Sequence, residues 1–316
     1  MPNKRRVLFL CPEFFGYEKV MATALNKKFG QVDYVNLRSS NSYLKRNLFR
    51  YNKSISEKIL KCLKNHSYDA VLIVKGENIS ETLIEKIALQ HKRNVYLYNW
   101  DSIKNFDNTH LFKYCTKVFS FDPVDCKVFN LFYKEMFLSK FIDPDQKYFK
   151  NKLMFIGTAR NDRITILSQI LSQRMSDLTY DVNLYFQSFF IYIVRIILNP
   201  SLIKIPNKFI YFKKISYASY LDKLKEVSYV LDIESNKQSG ITPRSIEALC
   251  NGKILITTNP YALHSPLNTG ENVYLIKRTD KAPLSKIAFD KKLKRKVLEK
   301  IIKSYHIDFW VNEFFE

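Results

Sequence analysis

Glycine and proline are scarce in this sequence, which leaves little room for disordered segments. The 316 residues include seven glycines and ten prolines, whereas disordered chains are usually rich in both. Apolar residues make up 46% of the chain and aromatic residues 15%, as in folded proteins with one large or two ordinary domains. Because glycine is rare, Gly16, Gly157, Gly240 and Gly252 stand out: each lies at or beside a predicted junction between a strand and a helix.

Long apolar runs are also missing. The run that follows the basic residues near the start covers only residues 7–11, which predicts a buried strand and not a signal peptide. The longest run elsewhere, Phe189–Leu198, is about half as long as a membrane-spanning helix and contains Arg195. We therefore expect a soluble or peripheral protein. Residues 186–205 around this run allow two interpretations, a core helix or an element on an anionic membrane surface.

Cysteine pairs at metal-binding spacing are absent. The five cysteines include no Cys-x-x-Cys pair and lie mostly within apolar segments. The sequence therefore predicts no metal site and indicates a reducing compartment.

Acidic residues are too few to balance the basic ones. There are 51 lysines and arginines against 30 aspartates and glutamates, a net charge of +21. Such a charge favours an acidic partner: nucleic acid, an anionic membrane surface or a phosphorylated substrate. A coding bias towards lysine would explain the charge without any partner. Lysines are densest at residues 286–303. No nucleic-acid-binding motif is present, so we expect no nucleic-acid partner.

Short apolar strands alternate with helical patterns in both halves of the chain, which predicts two α/β domains with parallel sheets. A polar, proline-containing stretch at residues 141–152 separates the halves. Strands are predicted at residues 7–11, 32–36, 70–75, 95–98, 118–121, 153–156, 180–185, 209–212, 229–233, 253–258 and 273–276. The main helices are predicted from just after residue 17 to about 29, and at residues 55–65, 81–90, 162–174, 217–226, 283–305 and 307–315.

The segment at residues 229–258 reads as strand, loop, helix and strand. Thr242 is predicted to be the N-cap of the helix, Pro243 its first residue, and Gly252 the residue just past its end. A helix N-terminus above a sheet presents free N–H groups and a positive dipole, which favour a phosphate.

A second strand end in this half has the same character. Gly157 and Thr158 precede a helix with Arg160 and Arg163 near its start, as Gly240 precedes the helix with Arg244. Two helix N-termini with arginines beside them would neutralise a diphosphate. Glu247 has two interpretations, a ligand for ribose hydroxyls or an exposed helix carboxylate.

Polar and aromatic residues also follow the strands of the first half. They are Glu13 to Tyr17, Lys75 to Glu77, Asn99 to Ser102, and Asp122. Since ligands of parallel sheets bind beyond the carboxyl ends of the strands, these residues predict a polar pocket. Individually, Asp101 and Asp122 could equally be helix caps, and Trp100 a core residue.

Residues 240–259, GITPRSIEALCNGKILITTN, resemble the donor-binding segment of GT-B glycosyltransferases. The resemblance is to the branch that assembles bacterial capsule and lipopolysaccharide and to relatives in spore-coat glycosylation. Further stretches match that branch in the same order: PEFFGYEKV, YLYNWDSIKN, FSFDPVDCKVF and FIGTARNDRITIL.

The resemblance implies two Rossmann-like, doubly wound α/β domains that face a cleft. These would be an acceptor domain at residues 1–145 and a donor domain at 146–300. A helix at 301–316, with Trp310, would pack back towards the N-terminal domain. The residues implied in donor binding are Gly16, Tyr17, Gly157, Thr158, Arg163, Gly240, Thr242, Arg244 and, for the ribose, Glu247. Asp101 and Asp122 match positions near the acceptor and are the first and second candidates for a catalytic base.

One departure from the family concerns a glutamate. Many retaining members have a pair of glutamates in this segment. Glu247 matches the second of them, but Ser239 stands in place of the first. The stereochemical outcome is therefore open. The resemblance implies no bound metal and no other cofactor.

The expected function is transfer of a sugar from a nucleotide-diphosphate donor, such as a UDP-sugar or dTDP-rhamnose. The expected acceptor is lipopolysaccharide core or another lipid-linked saccharide, at the anionic inner leaflet. The protein would be cytoplasmic and peripheral to the inner membrane. The alternatives are a basic nucleic-acid-binding protein and a non-catalytic GT-B-shaped scaffold in polysaccharide assembly.

Overall fold

A computed structural model divides the chain into two compact units. Unit 1 comprises Met1–Ser139, Asn236–Ile241 and Lys303–Glu316, and unit 2 comprises Lys140–Ser235 and Thr242–Ile302. The structure describes residues 5–38, 49–91, 94–142, 151–173, 175, 178–281, 284–285, 287, 289 and 297–316.

Unit 1 contains a six-stranded parallel sheet in the order β2-β1-β3-β4-β5-β6. The third strand, AVLIV, is buried along its whole length because helices cover both faces of such a sheet. The strands are β1 (Arg5–Cys11), β2 (Gly30–Asn36), β3 (Ala70–Val74), β4 (Val95–Asn99), β5 (Lys117–Ser120) and β6 (Phe132–Tyr133). The helices between them are α1 (Tyr17–Phe29), α2 (Phe49–Asn65), α3 (Glu81–Gln90) and α4 (Pro123–Phe129).

Unit 2 contains a second six-stranded parallel sheet, in the order β12-β11-β10-β7-β8-β9. The strands are β7 (Lys152–Thr158), β8 (Thr179–Tyr185), β9 (Ile210–Tyr211), β10 (Tyr229–Asp232), β11 (Ile254–Thr257) and β12 (Val273–Leu275). The helices are α5 (Asn161–Ser172), α6 (Phe189–Leu198), α7 (Tyr217–Lys225) and α8 (Pro243–Cys250). The strand order reverses between β7 and β10, and ligands of doubly wound sheets bind at such a point.

Two short helices near the C-terminus, α9 (Glu299–Tyr305) and α10 (Ile307–Asn312), follow. Leu138 forms a bridge with His306, and the Ile307 N–H donates to the Leu138 carbonyl at 3.0 Å. Trp310 is buried against Tyr98, with ring centroids 4.9 Å apart, and its Nε1 donates to the Glu135 carbonyl at 2.7 Å. The segment from Lys303 onwards is therefore part of the core of unit 1.

The alternation of strands and helices predicted from the sequence is confirmed in both units. The short edge strand β6 was not predicted. The helix predicted over residues 283–305 is wrong in extent: α9 begins only at Glu299, and the described residues between 284 and 298 are not helical. Most of the predicted connection at 141–152, with the boundary at 145, and much of the lysine-rich stretch at 286–303 lie outside the described residues. No helix in the described ranges is long and apolar enough to cross a membrane.

Candidate functional site

A buried carboxylate organises the carboxyl edge of the sheet in unit 2. Asp232 ends β10 and is 1% exposed. Its Oδ2 accepts hydrogen bonds from the Thr242 hydroxyl at 2.6 Å and the Ser245 hydroxyl at 2.8 Å, and its Oδ1 accepts from Arg244 Nη2 at 2.8 Å. Burial alone would raise the pKa of Asp232, but the Arg244 charge and these hydrogen bonds hold it below its ordinary value. Asp232 thus fixes both the cap residue Thr242 and the single arginine of α8, Arg244.

Thr242 begins α8 as the sequence predicts. Its Oγ1 accepts a hydrogen bond from the Ser245 N–H at 3.2 Å, Pro243 occupies the first turn, and Gly252 follows the helix with a φ of 67°. Pro243 has no N–H that needs a partner, and Thr242 accepts from one N–H group of the first turn. The start of α8 is therefore determined by residues that are adjacent in the sequence.

Arg163 joins the two strands at which the order of the sheet reverses. This side chain on α5 is 7% exposed, and it donates from Nε to the Ile233 carbonyl at 2.6 Å and from Nη1 to the Thr158 carbonyl at 3.2 Å. Burial, and then repulsion by Arg244, lower the pKa of Arg163 to about 10. A Cβ at Gly157 would lie 3.5 Å from Arg163 Nη1 and 3.0 Å from the Phe155 ring. The glycine therefore gives room chiefly to the Phe155 ring, because 3.5 Å from the guanidinium is an ordinary contact.

A second ion-pair group lies at the same edge. Glu234, 4% exposed, accepts from Arg278 Nη2 at 2.5 Å and from the Thr258 hydroxyl at 2.7 Å. Arg278 Nη1 also donates to Asp162 at 2.7 Å, at the start of α5. Burial, and then the charge of Asp232, raise the pKa of Glu234. This group links β10, β11 and α5.

The arginines at this edge outnumber the carboxylates. The guanidinium groups are those of Arg160, Arg163, Arg244 and Arg278, and the carboxylates are those of Asp162, Asp232 and Glu234. The N-termini of α5 and α8 add partial positive charge. An anion with several oxygens, such as a diphosphate, suits this arrangement.

Glu247 is fully enclosed within unit 2. Its side chain is 0% exposed, and its Oε1 accepts a hydrogen bond from the Tyr217 hydroxyl at 2.6 Å. The interpretation of Glu247 as an exposed helix carboxylate is therefore wrong. Binding of ribose hydroxyls stays a prediction, and it requires the carboxylate to become accessible.

The loop at Gly16 in unit 1 already holds a carboxylate. Gly16 has a φ of 92° and caps α1, and Glu18, only 2% exposed, accepts from the Gly16 N–H at 3.2 Å and from the Phe14 N–H at 3.0 Å. Tyr17 is buried beside Trp100, with ring centroids 5.6 Å apart. Two N–H groups that could face a donor phosphate are thus bonded to Glu18.

Asp101 takes part in a charged network beyond β3 and β4. Lys75 Nζ lies 2.6 Å from Asp101 and 2.5 Å from Glu77, and Arg38 pairs with Glu77 at 2.5 Å. The Arg38 and Lys75 charges lower the pKa of Glu77 despite its burial, which alone would raise it. The Asp101 side chain is 34% exposed. It therefore has both a cationic neighbour and access to solvent.

Asp122 is the N-cap of α4, so the capping interpretation is confirmed. Its Oδ1 accepts from the Val124 N–H at 3.0 Å, and its Oδ2 accepts from the Ser102 hydroxyl and from the Ser239 N–H at 2.8 Å. The residue is 1% exposed. A catalytic role for Asp122 stays a prediction, and both oxygens are occupied in this structure.

Gly240 is required by close packing within unit 1. A Cβ at this position would clash with the ring and the backbone oxygen of Phe121. The structure therefore gives this glycine a steric role.

Sequence reasoning missed several residues of these clusters. Asp232, Glu234 and Arg278 were not singled out, nor were Glu18 and Arg38. Asp232 had a usable pattern, since it is the polar residue that ends the buried strand YVLD. Across the described parts of the chain, no group of three or more His, Cys, Asp or Glu side chains is arranged to hold a metal ion.

Comparison with known proteins shows similarity in structure only. No family model and no curated protein sequence matches the chain. Among solved structures, the lipopolysaccharide outer core galactosyltransferase WaaB is 12% identical with a TM-score of 0.58, covering 98% of each chain. Sucrose-phosphate synthase from Thermosynechococcus elongatus is 10% identical with a TM-score of 0.67, covering 98% of this chain and 97% of that one. Anabaena HepE in complex with UDP-glucose is 13% identical with a TM-score of 0.57, covering 98% and 93%.

These likenesses extend over nearly the whole chain and include both parallel sheets. At 10–13% identity they show the fold. The chain has the two-domain α/β fold of the GT-B glycosyltransferases, as the sequence resemblance implied.

Proposed function

We propose that the protein is a glycosyltransferase that takes its sugar from a nucleoside diphosphate donor. The observation that carries this proposal is the pair Arg163 and Arg244 at the strand reversal of unit 2. Arg163 is held by two backbone carbonyls, and Arg244 is held by the buried Asp232. HepE, a structural neighbour, is described in complex with UDP-glucose.

In the proposed reaction, the bond between the sugar and the diphosphate of the donor breaks, and negative charge builds up on the leaving diphosphate. Arg244 and the N-termini of α5 and α8 would stabilise that charge. Preorganised donors of this kind contribute about 3 kcal/mol each in other enzymes. Since Arg163 and Arg244 repel one another, a bound diphosphate would also relieve that repulsion.

For an inverting transfer, the acceptor hydroxyl needs a base. We assign this role to Asp101, whose carboxylate is partly exposed, ahead of Asp122. Ser239 in place of the first glutamate leaves a retaining reaction as the other outcome.

We further propose a lipid-linked acceptor, with lipopolysaccharide core as the first choice. The support is the sequence resemblance together with a net charge of +21, which suits a phosphorylated glycolipid at an anionic leaflet. One neighbour is itself named as a lipopolysaccharide outer core galactosyltransferase.

Isothermal titration with UDP, dTDP, GDP and ADP tests the donor site. We expect one of them to bind, and Arg244→Gln to weaken it about tenfold or more, because charge-assisted hydrogen bonds are lost. The matched control is Lys225→Gln, whose side chain is 55% exposed and pairs with Asp222. Its affinity should equal that of the parent.

A non-catalytic scaffold is the second candidate. It is favoured by the enclosed Glu247 and by Glu18, which occupies the Gly16 loop. If none of the four nucleotides binds, the transferase proposal fails and the scaffold is preferred.

A further inference from the structure

Helix α6 presents an apolar face to solvent. None of its ten residues is buried. Phe190 is 76% exposed and Ile197 is 73% exposed, and they lie about two turns apart on the same side of the helix. Its other side is anchored, since Ile191, Tyr192 and Ile196 pack against the core of unit 2. Helix α6 therefore packs against unit 2 on one side, while the apolar side chains of its other side are exposed to solvent.

The apolar surface continues on both sides of α6. Ile203, in the 3₁₀ turn that follows, is 73% exposed. Phe212 is 42% exposed and contacts the Phe189 ring, with centroids 6.0 Å apart. We name this surface the α6 face; it consists of Phe189, Phe190, Ile193, Ile197, Leu198, Ile203, Tyr211 and Phe212.

The segment that carries the α6 face has charge of one sign. Residues 182–221 contain no aspartate or glutamate, but they contain Arg195, Lys204, Lys208, Lys213 and Lys214. Lys204, Lys208 and Lys213 are exposed. Exposed bulky apolar side chains with exposed lysines in the same segment suit the boundary between acyl chains and anionic headgroups.

We propose that the α6 face is the surface by which this protein docks on an anionic lipid bilayer. The ends of Phe190, Ile197 and Ile203 would enter the acyl boundary, and the lysines would contact lipid phosphates. A second copy of the chain fits less well, because two such faces would bring basic rims together. Nucleic acid fits less well too, because exposed Ile and Leu offer nothing to bases or phosphates. This assignment deepens the proposed function and rests on it, because a lipid-linked acceptor lies in a membrane.

Co-sedimentation with vesicles tests the α6 face. The probes are vesicles of phosphatidylglycerol and phosphatidylethanolamine, compared with phosphatidylcholine alone. We expect binding to the anionic vesicles that falls steeply with salt. Phe190→Ser with Ile197→Ser should weaken this binding about tenfold or more, because buried apolar area is lost. The control is Leu89→Ser with Val128→Ser, at sites in unit 1 that are 64% and 67% exposed; it should bind as the parent does.

Charge is tested separately. Lys204→Glu with Lys208→Glu should abolish binding at physiological salt, whereas Lys58→Glu with Lys61→Glu, an equal change on α2, should reduce it much less. The proposal is overturned if the serine pair binds vesicles like the parent. It is also overturned if that pair converts a dimer to a monomer in sedimentation velocity, or abolishes binding to an oligo-dT strand while vesicles are not bound.

These outcomes are independent of the donor site. Nucleotide affinity of the serine pair, measured by titration, should equal that of the parent, which also shows that unit 2 is folded. Loss of vesicle binding with intact nucleotide binding supports the α6 face. Vesicle binding without any nucleotide binding would overturn the transferase proposal alone.

Discussion

Asp101 is the candidate whose chemistry a single substitution tests best. Asp101→Asn keeps the size of the side chain but removes its ability to accept a proton. We expect the proposed sugar transfer to slow by about 10²–10⁴-fold, with nucleotide affinity unchanged. Steady-state transfer assays measure this effect. The control is Asp107→Asn, at an exposed position in the same loop. A rate equal to that of the parent would remove Asp101 from the role of base.

Lys253 should give unit 2 a measurable pH dependence. The residue is 2% exposed, and burial lowers the pKa of its ammonium group from 10.5 to about 8. Between those two values the unfolded chain binds more protons, so stability rises with pH in this window. At pH 7 Lys253 is charged in both states, and its burial costs free energy of folding.

Lys253→Met should therefore be more stable than the parent at pH 7, and the difference should shrink as the pH approaches 10.5. Urea unfolding at pH 7 and pH 9.5 measures it. Lys58→Met, an exposed position on α2, should show the same difference from the parent at both pH values. A difference for Lys253→Met that does not vary with pH would contradict the prediction.

At the residue scale, the sequence predicted which positions end the strands but not how their side chains pair. Thr242 was predictable because capping is local, and its partner lies three residues away. The enclosure of Glu247 was not, because Tyr217 lies thirty residues earlier on another helix. The partners of Glu18 are local, but the sequence pattern of this loop is the same whether its N–H groups bind a phosphate or a carboxylate of the chain itself.

Among the elements, the short helix α10 should contribute strongly to the stability of unit 1 through one buried side chain. Trp310 is 3% exposed and also contacts Phe137 and Phe314, with ring centroids 4.8 Å and 4.5 Å away. Trp310→Ala should lower the free energy of unfolding by about 3–5 kcal/mol, since a large cavity is left. Phe309→Ala, at an adjacent residue that is 56% exposed, should change it by less than about 1 kcal/mol.

Thermal and urea unfolding of both variants measures this contrast. Similar losses for the two substitutions would show that α10 does not contribute a specific core contact. The nucleotide affinity of Trp310→Ala, measured where the protein is folded, should stay close to that of the parent, because the arginine cluster belongs to unit 2.

Elements with strong local patterns were predictable, and those without were not. The helix at residues 81–90 was predicted with the bounds found, because Ser80 caps it and its apolar residues recur at helical spacing. The two-residue strand β6 lacks any such pattern, as its side chains are exposed and it forms only by pairing with β5. The helix predicted at 283–305 was overextended because lysine and leucine have a high intrinsic helix propensity, which the rest of the fold can override.

For the whole molecule, the proposed donor site predicts where binding of a nucleoside diphosphate changes backbone hydrogen exchange. With UDP, or whichever nucleotide the titration identifies, amides near the starts of α5 and α8 should exchange more slowly. The Gly16 and Phe14 amides should change little, because Glu18 already holds them. Hydrogen exchange read by mass spectrometry measures this, with Arg244→Gln as the control at the same nucleotide concentration. Equal protection of residues 14–16 would show that Glu18 yields its place to the ligand.

The assignment of residues to units has a consequence for synthesis on the ribosome. Unit 1 holds the first residues of the chain, yet it is completed by Asn236–Ile241 and Lys303–Glu316. A nascent chain that has reached residue 302 has all of unit 2 but still lacks the tryptophan that covers Tyr98. Part of the apolar surface of the N-terminal sheet therefore stays exposed to chaperones until Lys303–Glu316 have been made, although this sheet belongs to the first part of the chain to be synthesised.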